Sequence, residues 1–201
     1  KEPQGALTQT TFPTSASDAL LAVNATYGTM LDVSFHSGTF PILDIMSDDA
    51  RKGSNPTDQS AEIGPYDNFT FTKTGNELKS WWATLYMGIK RANVVIEKVP
   101  AIDMDATLRN RYIAEAKFLR AMAHFDIVRL WAQPYGFTAN NSHPGVVIRD
   151  NVNTQPKARS TVGEVYNFII ADLNEAIATL PDANGNYANK DAAKALLAKV
   201  R

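Results

Sequence analysis

The 201-residue chain contains no cysteine, which removes disulfides, thiolate nucleophiles and cysteine-ligated metals and leaves the redox compartment unconstrained. Histidine occurs only as His36, His124 and His143. No two of them stand four residues apart and no HExxH arrangement exists, so no metal site is expected and nothing in the chain asks for a cofactor. His124 falls on a strongly periodic helical stretch and is expected to be structural. An excess of charge is also missing: 20 Lys and Arg face 21 Asp and Glu for a net charge of −1, without a run of like charges, so nucleic acid is excluded as an expected partner. Apolar runs such as Ala19 to Val23 fall far short of the roughly 18–20 residues that a membrane-spanning helix needs. A GxSxG elbow, a glycine-rich phosphate cradle and an EF-hand spacing are absent too, so acyl and phosphoryl transfer lack their usual machinery.

What the chain does contain is a repeat. Ala114-Glu115-Ala116-Lys117-Phe118-Leu119-Arg120-Ala121 lies over Asp191-Ala192-Ala193-Lys194-Ala195-Leu196-Leu197-Ala198, with Ala116, Lys117, Leu119 and Ala121 recurring in register. The helices before each copy also match, Tyr86 to Pro100 against Tyr166 to Pro181. Two helix-turn-helix units are therefore predicted, and the chain reads as an all-α helical-repeat protein.

Periodicity predicts a helix over 17–31, capped by Ser17, with Leu20, Val23, Tyr27 and Met30 on one face. Residues 34–79 then change to Gly, Ser, Asn, Asp, Pro and aromatics without a helical period, which marks a functional insertion. A helical hairpin is predicted over 77–131. Its first helix opens at a Thr74–Glu77 capping box, aligns Trp82, Leu85, Ile89, Asn93 and Ile96, and ends at Pro100. Its second, over 106–131, carries Tyr112, Ala116, Leu119, Ala123, Ile127 and Leu130 in one stripe and an exposed Arg111–Glu115 pair. A second irregular insertion follows over 133–160, with Gly145 to Ile148 as a short extended piece and Trp131 and Tyr135 expected beneath it. A second hairpin over 161–201 starts at a Thr161–Glu164 capping box, stops its first helix at Pro181 and begins its last near Asn189 or Lys190. That last helix has no stop signal at Arg201, so the architecture is expected to be incomplete at its C-terminus. At the other end, Lys1 to Gly5 has neither methionine nor an apolar leader, as expected of a mature or trimmed form.

Aromatic side chains are the better guide to function. Sugar rings present flat C–H faces that stack on Trp and Tyr, while their hydroxyls bond to Asp, Asn and Arg. Tyr66, Phe69, Phe71 and Trp81 lie in or beside the first insertion. Trp82 is assigned to packing; Trp81, displaced by about 100° around the helix, is either a rim contact or part of a site. Asp44, Asp48 and Asp49 form a carboxylate cluster whose adjacent members more often bond within a turn than contact ligand. The ligand-binding candidates are Tyr66, Trp81, Asp48, Asp49, Arg51 and Asn55, and no catalytic residue is assigned. A pure protein-interaction scaffold and a glycoside hydrolase, which would need two carboxylates about 5–9.5 Å apart around a cleft, stand as alternatives.

SWWATLYMGIKRANVVIEKVP, AEAKFLRAMAHFDIVRLWAQPYG, RSTVGEVYNFIIADLNEAIATLP and DAAKALLAKV, in that order, resemble the N-terminal, tetratricopeptide-like part of the SusD-like (RagB/SusD) family, and MSDDARKGS and KEPQG fit the same pattern. The resemblance implies tetratricopeptide-like antiparallel helix hairpins. It further implies an outer-membrane lipoprotein of Bacteroidota, exposed at the cell surface and held by a lipidated N-terminal cysteine. Such a protein captures oligosaccharides or other nutrients without catalysis, as a hinged lid on a SusC-like TonB-dependent transporter. Family members are longer than this chain and draw their ligand platform partly from C-terminal residues.

Overall fold

The computed structural model describes residues 12–32, 42–47, 49, 64–72, 75–153 and 155–201. Among the described residues the α-helices are α1 (Ala16–Met30), α2 (42–46), α3 (Gly64–Asp67), α4 (Asn76–Lys98), α5 (Ala106–Trp131), α6 (Val162–Thr179) and α7 (Lys190–Val200). Among the described residues the only sheet-like pairing is an isolated antiparallel bridge between Pro144 and Thr161. The chain divides into two compact units, one of residues 1–27 and 88–201 and the other of residues 28–87.

In the larger unit, α5 is buried nearly all round, through Tyr112, Ala114, Ala116, Leu119, Ala121, Ala123, Phe125, Ile127 and Val128 together with three polar residues, Glu115, Arg120 and His124. This corrects the one-sided stripe expected from sequence. A helix enclosed by neighbours on several sides needs small or apolar residues around its circumference, and the alanines of this segment supply them. On one side Tyr112 and Ala116 join Ala19, Ala22 and Val23 of α1 and Ala92, Val95 and Val99 of the α4 region in a single apolar cluster. On another, Ala114 packs with Ala176, Leu180, Ala188 and Ala193. The C-terminal part of α4 shares the first of these clusters with α5, and α6 packs against both α5 and α7.

Several local signals behave as the sequence suggests. Thr161 and Glu164 form a reciprocal capping box at α6, and Asn189 caps α7 by accepting from the Ala192 N–H. The Thr74 capping box lies outside the described residues. Other expectations shift by a residue or two. The α1 cap is Ser15, not Ser17: the Asp18 N–H donates to Ser15 Oγ and the Ser15 N–H donates to Asp18 Oδ2, at 3.2 and 3.1 Å. Backbone and side-chain donation from Thr14 joins these bonds and lowers the Asp18 pKa. On α1 the small residues Ala19 and Ala22 face the core with Val23, while Leu20 lies out at the edge.

Glu115, expected on the surface, is buried. Burial raises its pKa, opposed by hydrogen bonds from Asn184 and Tyr27 and by the Arg111 charge. Asn184 Nδ2 donates to Glu115 Oε1 and to the Ala188 carbonyl, at 2.9 and 2.8 Å, and the Ala188 N–H donates to Tyr27 Oη at 2.9 Å. The turn between α6 and α7 is thereby fastened to α1 and α5.

Candidate functional site

Two polar or aromatic constructions stand out from the apolar scaffold, one in each unit. In the smaller unit α3 closes with the hydrogen-bond signature of a Schellman turn. The Thr70 N–H donates to the Pro65 carbonyl at 2.7 Å and the Phe69 N–H to the Tyr66 carbonyl at 3.3 Å. The left-handed residue that this turn requires is commonly glycine, yet here it is Phe69, with φ 53° and 61% of its surface exposed. A bulky residue in that region costs of order 1–3 kcal/mol. Next to it the rings of Phe71, Tyr66 and Trp81 are arranged as a stack. Tyr66 lies 5.0 Å from Phe71 at 18° and 6.5 Å from Trp81 at 27°.

This geometry corrects the reading of the two tryptophans. Trp81 and Tyr66 are each only 3% exposed, whereas Trp82 is half-buried. The buried face of α4 runs Trp81, Leu85, Ile89, Ala92, a spacing that follows the helical repeat from its first turn. In this stack the accessible ring is Phe71, with Tyr66 and Trp81 behind it. Of the carboxylate cluster, Asp49 is exposed and sits in a local turn: its N–H donates to the Asp44 carbonyl at 3.0 Å and its Oδ2 accepts from Ser47 Oγ at 3.1 Å. Asp48, Arg51, Asn55 and His36 lie outside the described residues.

In the larger unit the second insertion is held by side chains that grip its main chain. Arg120 is bidentate to Asp172, with Nε–Oδ2 2.8 Å and Nη2–Oδ1 2.7 Å, and its Nη1 also donates to Asn93 Oδ1 and to the Asp150 carbonyl. Burial pushes the Asp172 carboxyl up, and the paired guanidinium opposes that shift. Asn93 Nδ2 donates to the carbonyls of Arg149 and Asn151 at 3.0 and 2.8 Å, and Glu97 Oε1 accepts from the Val152 N–H. His124 is fully buried and structural. Its Nδ1–H donates to the Arg120 carbonyl, leaving Nε2 to accept from the Arg149 N–H. Burial lowers its pKa to about 4, so it is neutral in this role.

Where the insertion turns back towards α6, Gly145 approaches the chain so closely that a Cβ there would meet Ser160 O, Thr161 C and Val162 N at 2.9 Å. The extended piece expected near Gly145 pairs with residues 160–162 through this contact. His143 is buried and bonded through both ring nitrogens, to Thr138 and the Gln133 carbonyl. Among the described residues no group of three or more His, Asp or Glu side chains is disposed to hold a metal.

Sequence reasoning missed the buried Arg120–Asp172 pair. The available signal was a charged residue on each of two helical stripes, Arg120 next to Leu119 and Asp172 next to Leu173. It also passed over Phe69 and Phe71 as the exposed rings, although the spacing of Trp81 to Leu85 and Ile89 marked Trp81 as core.

Residues 42–201 match the SusD-like family model described as "Starch-binding associating with outer membrane". A SusD-like protein of Formosa agariphila, P2, is 29% identical over the whole of this chain, which corresponds to 38% of that protein. A solved structure of a sugar binding protein from Bacteroides vulgatus, so named provisionally, superposes with a TM-score of 0.80 at 30% identity, covering 94% of this chain and 42% of that one. A laminarin binding SusD-like protein superposes with a TM-score of 0.77 at 31% identity, covering 94% of this chain and 40% of that one. The chain thus spans about two-fifths of the length of these relatives. With four-fifths of its residues under one family model and the same helical scaffold in the solved relatives, the chain belongs to the SusD-like family.

Proposed function

We propose that the protein captures oligosaccharides without catalysis at the outer membrane and passes them to a SusC-like TonB-dependent transporter. Family membership supports the saccharide class. The observation that carries the reading in this chain is the pair of exposed rings, Phe69 and Phe71, in the first insertion, with Tyr66 and Trp81 stacked behind Phe71. Flat apolar faces held by a buried aromatic support suit the C–H faces of a pyranose. In this proposal Tyr66 and Trp81 set the position of the contact ring, Phe71 touches sugar, and Asp49, Asp48, Arg51 and Asn55 are polar candidates for the hydroxyls. A lipid anchor and surface exposure complete the proposal, on the family resemblance alone.

Calorimetry on the full-length protein with starch and β-glucan oligosaccharides tests it. Phe71→Ala is expected to weaken binding about tenfold, equivalent to about 1.4 kcal/mol. Chromatography of the same mixtures is expected to show intact saccharide. Unchanged affinity in both Phe71→Ala and Phe69→Ala would remove the first insertion from the site, and released product would overturn the non-catalytic reading.

A further inference from the structure

The sequence places Tyr135 under the second insertion, but the structure leaves it 59% exposed. It stands on a short loop with little freedom. Gly136 takes φ 87°, its N–H donates to Asn141 Oδ1, and the Phe137 N–H donates to the Pro134 carbonyl. Asn140 and Asn141 both hold left-handed backbone, φ 57° and 52°, and buried His143 ties the loop back to the Gln133 carbonyl. Such backbone persists where surrounding contacts over-determine it, commonly at ligand clamps. A loop locked in this way and spending its rigidity on an exposed tyrosine is built to present that ring.

The ring borders a groove of about 400 Å³ between the C-terminal ends of α5 and α7 and the start of α6. Tyr135 lies 4.7 Å from Tyr166 at 49°, and Tyr166 meets Phe125 edge-on at 6.0 Å. Two cations flank these rings. The Arg129 guanidinium sits 5.1 Å over Phe125, and Lys199 lines the groove from α7. Against them stands Asp126, 4.0 Å from Arg129. Aromatic faces beside two cations suit a ring that stacks and also carries a negative charge.

We propose that this groove is a second saccharide-contact site, distinct from the first insertion, and that it selects acidic saccharides bearing carboxylate or sulfate groups. Tyr135 and Tyr166 stack on the sugar, and Arg129 and Lys199 bind its anion. The inference rests on the saccharide-capture reading above. Asp126 gives the site a signature that a neutral-sugar platform lacks. Burial raises its carboxyl to about 6, opposed by Arg129 and Lys199, while burial also raises the Tyr166 phenol on α6 and keeps it uncharged. Ionised Asp126 offsets one of the two cations; protonated, it leaves both for the ligand. Anion affinity therefore rises as pH falls through about 6. A unit charge removed a few ångströms from the ligand at a solvated surface corresponds to a gain of about three- to tenfold.

The test is calorimetry of the full-length protein at pH 7.5 and 5.0 with three probes: trigalacturonate for carboxylate, a carrageenan hexasaccharide for sulfate, and maltohexaose as the neutral control. At least one acidic probe is expected to bind, more tightly at pH 5.0. Tyr135→Ala and Arg129→Gln are each expected to weaken it about tenfold, and Phe71→Ala to leave it unchanged. Asp126→Asn is expected to bind at both pH values with the affinity of the wild type at pH 5.0, a gain that misfolding cannot imitate. Acidic binding indifferent to Tyr135, Arg129 and Asp126 would overturn the site. Binding of maltohexaose alone would also overturn it while sparing the capture reading, and failure of every saccharide would sink both.

Discussion

The two insertions of this chain are organised by opposite means. The second is gripped over residues 149–152 through its backbone: Asn93, Glu97, Arg120 and His124 bond to main-chain groups there, so its course at that end is fixed by residues of the scaffold helices. The described part of the first is organised through side chains, by the stacking of Phe71, Tyr66 and Trp81, so its shape depends on which residues it carries. A scaffold that holds one insertion by backbone and lets another be shaped by aromatic content separates two needs of a capture protein, a fixed frame and an adaptable surface.

That contrast breaks most sharply at Arg120. Removing one partner of a buried ion pair leaves the other charge uncompensated and costs about 3–5 kcal/mol, so Arg120→Ala is expected to lose that much in urea denaturation. Asn93→Ala leaves carbonyls of Arg149 and Asn151 without their donor and is expected to cost about 1–3 kcal/mol. Its more telling effect is local: amide hydrogen exchange should accelerate around residues 149–152 while α5 and α6 stay protected. Exchange that rises uniformly over the unit would mean that the polar contacts stabilise the core in general and do not clamp the insertion in particular.

Titration sharpens the same comparison, because α5 carries two groups of opposite sign. His124, held near 4 by burial, is neutral when it accepts from Arg149. With its folded pKa below the ordinary 6.5, its contribution is complete above 6.5 and is lost as pH falls from there to about 4. Asp126, raised to about 6, behaves inversely. Its contribution is complete below 3.8 and is lost as pH rises from there to about 6. At roughly 1.4 kcal/mol per pKa unit, each is worth on the order of 2–3 kcal/mol, less for Asp126, which retains some solvent contact. The two slopes oppose each other over nearly the same window and largely cancel, so the wild-type stability is expected to change little between about pH 4 and 6, and each variant is expected to uncover the slope of the other group. Asp126→Asn should raise the melting temperature at pH 7.5 and leave it unchanged near pH 4, and His124→Gln should leave a stability that falls as pH rises across that window. An Asp126→Asn melting temperature unchanged at pH 7.5 would contradict the Asp126 assignment, and a profile unaltered in His124→Gln would contradict that of His124.

Much of the scaffold is legible in the sequence because its signals are local. The Thr161–Glu164 box and the stops at Pro100 and Pro181 each need only neighbouring residues to act. What could not be read depends on the third dimension. The burial of Glu115 follows from the α6–α7 turn folding back on α1 and α5, and Asn184 stands 69 positions from the carboxylate that it bonds. The Arg120–Asp172 pair spans 52 positions. Tryptophan identity misled in the first insertion: Trp81 has the area and stacking geometry of a sugar platform, and the same properties make it the largest available support for a smaller ring in front of it. Exposure had to be seen to separate platform from support.

The smallest expected effect bears most directly on why the first insertion is shaped as it is. Phe69 occupies the left-handed position of the turn after α3, where glycine would be relaxed. Were the turn there only to end a helix, Phe69→Gly would relieve strain and stabilise the protein by about 1 kcal/mol, offset in part by the greater freedom of glycine in the unfolded chain, at no functional cost. If Phe69 is kept for its exposed ring, the same substitution should still raise or hold the melting temperature while saccharide affinity falls by about three- to tenfold, a loss of about 1 kcal/mol of stacking. The two quantities move in opposite directions only when strain is retained for binding. A variant that is more stable and binds undiminished would leave Phe71 as the contact ring among the described residues of the first insertion and reduce Phe69 to an unfavourable way of closing a turn.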